Sequence, residues 1–272
     1  MPRLTARDIL ARRKLRELKR CQKSSWYLAT KYLGYEWNPV KLKGLTERVH
    51  KPIMDWRDRH ALEGEFIGLW MARKRHKTTM VVTWLIQEIL RDPTKSHLYF
   101  HAVDEQAEDF VLEVGLHFAS NEKLRWLDPI GEDHEGKRYK VCPGGKSKRW
   151  LKTGSFTINR HLRYGAGTRA PTLRAKGAGS EVTGAHIDGC AFLDDIIARK
   201  TIENSELQKI QRWYQNTVFP IVDSDRIMCT GTPWSEQSVH QIWQTDPDWH
   251  TLVIPGSIVE SDEEYRRLLE AA

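Results

Sequence analysis

FIGLWMARKRHKTTMVV, residues 66–82, is the stretch whose reading decides the fold. An apolar strand-like segment runs into a tight basic turn, and Lys77–Thr78 then opens a helix-like segment. Strand, turn and helix N-terminus in this order form the skeleton of a phosphate-binding loop. Backbone N–H groups at the helix start favour phosphate, a lysine reaches the outer phosphate oxygens, and the following hydroxyl ligates Mg²⁺. Lys77 and Thr78 stand where those roles fall, with His76 and Thr79 beside them as further phosphate contacts. The loop-forming glycines are missing: residues 71–76 read Met-Ala-Arg-Lys-Arg-His, so His76 occupies the place usually held by glycine. Taken alone, the stretch reads more readily as a basic turn between a core strand and a core helix.

The helix behind the loop, TTMVVTWLIQEIL, is apolar nearly all round, as a helix beneath a central sheet must be. Outward from it, strand-like segments fall at 66–72, 97–103, 154–158, 189–195, 226–232 and 250–254. Helical segments fall at 5–20, 24–33, 43–60, 78–91, 105–119 and 203–217. Apolar strands alternating with helices predict an α/β fold with a mostly parallel central sheet flanked by helices. The segment 131–188, rich in Gly and Lys/Arg, reads as loops and hairpins.

Two further strand ends carry polar residues. GCAFLDDII, 189–197, threads four core residues into the adjacent carboxylates Asp194 and Asp195. In a nucleotide hydrolase the first binds Mg²⁺ and the second orients and deprotonates the attacking water; elsewhere such a pair is an ordinary turn or helix cap. RIMCTGTPW, 226–234, ends a core strand in Thr230-Gly231-Thr232-Pro233, and ligands of open α/β sheets bind at the carboxyl ends of strands. Thr230 and Thr232 are therefore candidates to sense a γ-phosphate. Lys77 and Asp194 are 117 residues apart in sequence, a gap the fold closes if their strands lie side by side.

The net charge of +7 is unevenly placed. Residues 1–24 carry nine Lys/Arg against Asp8 and Glu17, and residues 136–163 carry nine more and no acid. The rest of the chain sums to −9. Two basic segments on an acidic body point to polyanion contact, or else to solvated surface. No apolar run reaches the roughly 18 residues that span a bilayer. The four scattered cysteines suggest a reducing compartment, with neither a disulfide framework nor a zinc site.

TGAHIDGCAFLDDII (183–197), RWYQNTVFPIV (212–222), RIMCTGTPWSEQSVHQIW (226–243) and WHTLVIPG (249–256) together resemble the ATPase domain of the large terminase subunit of tailed bacteriophages. AVDEQAEDFVLEVGLHFASNEKLRWLDP, 102–129, is similar to the strand and helix that follow that family's phosphate loop. The resemblance runs from about residue 25 to about 258, behind a basic N-terminal helix (1–24) and ahead of a tail or linker (259–272). It implies an ASCE-type P-loop NTPase that binds ATP and Mg²⁺ and drives double-stranded DNA into a procapsid. The partners it implies are the portal protein and the terminase small subunit, with a homo-oligomeric ring in the host cytoplasm and no membrane. Asp195 stands where many members have glutamate, and the family continues into a nuclease, an activity not expected from this chain. Arg73 matches an arginine near the start of the family's loop and is the implied cis contact to the phosphates, with Arg75 less well matched. A neighbour's arginine completes such sites; Arg163, Arg169 and Arg174 are the candidates and Arg174 the preferred one. Trp37 or Pro39, upstream of the loop, would pack on the adenine. Two other readings are a non-hydrolysing DNA- or capsid-binding module and a helicase-like ATPase.

Overall fold

A computed structural model describes residues 5–41, 43–61, 66–133, 135–142, 151–159, 161–162, 170–182, 186–197, 204–224, 226–232 and 239–254. The apolar segments become strands β1 (Phe66–Met71), β2 (His97–His101), β8 (Ala191–Asp194), β9 (Ile227–Gly231) and β10 (Trp249–Ile254). Short strands β3 (Ile130–Glu132), β4 (Arg138–Lys140), β5 (Leu151–Lys152) and β6 (Ser155–Phe156) and one further strand, β7 (Leu173–Gly177), come from the basic segment. The main sheet has eight strands in the order β10-β1-β9-β8-β2-β7-β6-β5, and β3 pairs with β4 separately. From β10 to β7 every pairing is parallel, and only the β7–β6 and β6–β5 pairings are antiparallel.

Two expectations change. The strands carrying Lys77 and Asp194 are not side by side, because β9 lies between β1 and β8. The stretch 131–188 is not only loops and hairpins: Leu173–Gly177 is a parallel strand paired with β2. It presents no apolar run, because only Leu173, Ala175 and Gly177 are buried, alternating with Arg174 and Lys176.

Alternation along the central strands builds two cores. Ile67, Leu69, Tyr99, Phe192 and Met228 face one side, and Trp70, Phe100, Leu193 and Cys229 the other. The first side is covered by α1 (Ala6–Lys23), α3 (Glu47–His60), α4 (Lys77–Arg91) and α5 (Asp104–Ser120). Short helices α2 (Ser25–Tyr27) and α6 (Glu122–Trp126) and a π-helical turn, Leu28–Leu33, fill around them. The second side is covered by α7 (Asn204–Trp213), its π-helical continuation Tyr214–Val218, and α8 (Val239–Thr245). α4 is buried almost all round, from Met80 to Leu90, as its sequence requires. No described helix is long and apolar enough to cross a membrane.

Candidate functional site

The carboxyl ends of β1, β9, β8 and β2 meet the N-terminus of α4. Between them lies a cavity of about 590 Å³, within the range of small-ligand sites. Arg73, Lys74, Arg75 and Lys77 line it against one carboxylate, Asp195, so the space is made for an anion. His76, Thr78 and Thr79 complete the loop side, and His101, Val103, Gln106 and Ile197 close the other.

The loop manages without glycine by placing L-residues in the left-handed region. Lys74 has φ 62°, and His76, the residue capping α4, has φ 58° and ψ 27°. Histidine tolerates this region better than most non-glycine residues, whereas β-branched ones do not. No side chain caps the start of α4, which leaves its N-terminal end facing the cavity as an anion site. His76 thus reproduces the backbone turn that glycine would supply. Its ring packs edge-on against His50, at 5.6 Å between centroids. His76→Gly is expected to leave stability unchanged within about 1 kcal/mol, since strain relief offsets the added chain entropy. His76→Val is expected to cost about 1–3 kcal/mol. Thermal denaturation of the two variants checks both values.

His50, on α3, holds the same loop from below. Its Nδ1 accepts the Thr46 backbone N–H at 2.9 Å, which puts the ring proton on Nε2, 3.3 Å from the Arg75 carbonyl. Burial, then the neighbouring His76, pulls His50 down to about 4, so it stays neutral at pH 7.

Lys77 is buried, and its ammonium donates to the Met71 carbonyl at 3.1 Å and the Thr232 hydroxyl at 3.0 Å. The Ala72 carbonyl lies at 3.4 Å and Asp195 Oδ2 at 3.7 Å. Burial lowers its pKa from the ordinary lysine value, opposed by Asp195 and Asp194. Thr78 Oγ1 donates to Asp194 Oδ2 at 2.8 Å. Asp194 is fully buried and receives two more hydroxyls, Tyr99 at 3.1 Å and Thr230. Asp195, the next residue, has φ 43° and swings its carboxylate into the cavity, where the Thr232 hydroxyl lies 3.5 Å away. Burial raises its pKa and Asp194 adds to that, while Lys77 opposes.

β9, inserted between the lysine strand and the carboxylate strand, thus links them. Thr232 touches both Lys77 and Asp195, and Thr230 anchors Asp194. Among the described residues no cluster of three or more His, Cys, Asp or Glu is arranged to hold a metal ion. Mg²⁺ does not need one, because it is commonly held by one or two carboxylates plus phosphate oxygens and water. The adjacent Thr78 hydroxyl and Asp194 carboxylate fit that donor set.

Of the residues singled out from sequence, Arg73, Arg75, His76, Lys77, Thr78, Thr79 and Asp195 line the cavity, and Asp194, Thr230 and Thr232 support it. Trp37 does not line it; 41% exposed, it lies between the bridges Glu36–Leu45 and Asn38–Lys43, and its backbone N–H donates to the Leu45 carbonyl. Arg174 is held within β7, opposite Leu98 and Ser155, and is likewise not a lining residue. Its strand pairing places it three residues before the carboxyl end of β7 instead of on a loop. Arg163, Arg169 and Pro233 lie outside the described residues. Sequence reading missed Tyr99, His101, His50 and Gln106. The rule that strand carboxyl ends face ligands would have flagged His101, the last residue of β2. His50 and Tyr99 read only as part of an amphipathic helix and an apolar strand.

No protein-family model matches the chain, and no curated protein matches it.

Proposed function

We propose that the protein hydrolyses ATP with Mg²⁺ in the cavity at the start of α4. We further propose that hydrolysis drives packaging of double-stranded DNA into a procapsid. The observation that carries the first part is the meeting of Lys77, the Thr78–Asp194 pair and Asp195, contributed by separate strand ends, on one basic cavity. The additional strand β9 between β1 and β8 is compatible with the ASCE-type P-loop fold. The second part rests on the resemblance to terminase large subunits. With it come the portal protein, the terminase small subunit and the ring of copies as partners, and the host cytoplasm as location.

Each residue has a task in this reading. The loop N–H groups and Arg73 receive the phosphates. Lys77 exchanges its carbonyl and hydroxyl partners for phosphate oxygens, a charge-assisted contact worth about 1.5–3 kcal/mol. Thr78 and Asp194 would hold Mg²⁺, which when bound neutralises charge on the β- and γ-phosphate oxygens. Asp195 accepts the proton of the attacking water. As Lys77 turns toward phosphate it leaves Asp195, which removes the charge that opposes the carboxylate's raised pKa and makes it a better base. Thr232 touches both groups and so registers the loss of the γ-phosphate on β9.

The test is MgATP binding and hydrolysis by the wild type and Lys77→Ala, at high protein concentration and with double-stranded DNA present. Hydrolysis by the wild type is expected, with binding by Lys77→Ala weakened about 10–100-fold. No binding by the wild type, or equal background turnover in both, would sink the proposal. Salt-dependent DNA binding that is indifferent to sequence is expected from the packaging role.

A further inference from the structure

Two helices leave apolar side chains uncovered against opposite backgrounds of charge. On α5, Leu112 and Leu116 lie one turn apart and are 43% and 47% exposed. Glu105, Glu108, Asp109 and Glu113 are exposed along the same outer face, and the helix has five acids and no Lys or Arg. The two leucines and Asp109 help line a shallow surface depression of about 520 Å³. On α1, Leu10 and Leu15 are 46% and 54% exposed. They flank the stripe whose later members, Leu18 and Cys21, are buried in the core, Leu10 on the side of Cys21 and Leu15 on the side of Leu18. α1 has eight Lys/Arg against Asp8 and Glu17. A capping box, with the Asp8 N–H donating to Thr5 Oγ1 at 3.2 Å and the Thr5 N–H to Asp8 Oδ2 at 3.0 Å, secures the helix start where the body gives it little cover.

We propose that α1 of one copy of this chain docks on the α5 face of a second copy. Leu10 and Leu15 cover Leu112 and Leu116, and the cationic side chains of α1 meet the carboxylates that flank those leucines. A polyanion on α1 would satisfy its charge while leaving its leucines in water, and would be repelled by α5. Helix-on-helix docking covers both apolar faces and pairs both sets of charges. The proposal is independent of what the nucleotide cavity binds.

Sedimentation velocity on the full chain, across a concentration series at about 0.05 M and about 0.5 M salt, tests it. Self-association is expected, weakened at least about tenfold at the higher salt. Glu105→Lys with Asp109→Lys, and separately Arg7→Glu with Lys14→Glu, are each expected to give monomers. Mixing the two charge-reversed proteins is expected to restore association between them, which a folding defect in either would not do. A wild type that stays monomeric throughout at low salt overturns the proposal. So does association that both reversals leave unchanged, or reversed proteins that fail to recognise each other. Loss of DNA binding on reversing α1, with self-association intact, would assign the helix to nucleic acid and overturn it as well.

Discussion

Replacing Glu88 by alanine is expected to lower folding stability by about 3–5 kcal/mol, the cost of removing the main carboxylate from a buried ion-pair network. Glu88 lies in α4, at the end far from the cavity, and its side chain is 3% exposed. Oε1 receives Arg57 Nη2 and Arg91 Nη1, each at 2.7 Å, and Oε2 receives Arg226 Nη2 at 2.9 Å. Arg57 is only 1% exposed, and its Nη1 also donates to Gln87 Oε1 at 2.6 Å. The network ties α3, α4 and the start of β9 together under the sheet. Without that carboxylate, the buried Arg57 guanidinium keeps only Asp58, 3.3 Å from its Nη1, and the neutral Gln87, with Nη2 left unpaired where water has little access. Glu88→Gln is expected to cost less, since the amide oxygen still accepts. Urea denaturation at pH 7 measures both, and a loss under about 1 kcal/mol for Glu88→Ala would show that water reaches Arg57.

The same group sets part of the acid response. Burial alone would raise the pKa of Glu88, but Arg57, Arg226 and Arg91 overcome this and hold it at about 2. A carboxylate depressed on folding contributes stability above its unfolded value, near 4.5, and loses it as pH falls toward 2. His50 and His117, both drawn down by burial to about 4, act earlier in the same direction. Each is neutral when folded and protonates more readily when unfolded, so stability begins to fall as pH drops below about 6.5. Denaturation midpoints are therefore expected to decline in two stages, the first between about pH 6.5 and 4 and the second below about 4.5.

On the proposed function, Asp195→Asn is expected to slow ATP turnover about 10²–10⁴-fold while leaving MgATP affinity within a few-fold of the wild type. The asparagine keeps the size and much of the hydrogen bonding to Thr232 but cannot take a proton. It also removes the negative charge near Lys77, a change that favours phosphate binding. Single-turnover rates beside equilibrium binding separate the two effects. Equal losses in affinity and turnover would make Asp195 a partner of Lys77 and not the base.

The chain's local patterns carried much of this architecture. The apolar run of α4, the short unbroken apolar runs of β1, β8 and β9, and the polar residues at their ends could be read because each depends on neighbours a few positions away. Lys77, Thr78, Asp194, Asp195 and the Thr230–Thr232 turn came from that reading and gather at one sheet edge. Trp37 and Arg174 came from resemblance, and neither lines the cavity.

What the sequence determined by itself is a mostly parallel α/β sheet with a basic turn at the head of a buried helix. Only the tertiary structure decided that β9 separates the lysine from the carboxylates and joins them through two threonines. It also decided that Tyr99 and His50 serve the site from positions that read as core, and that His76 turns as glycine would. The reason is physical. Strand order, and the donors that surround a buried carboxylate, are set by contacts between residues as far apart as Thr78 and Asp194, 116 positions along the chain. No local periodicity records such a pairing.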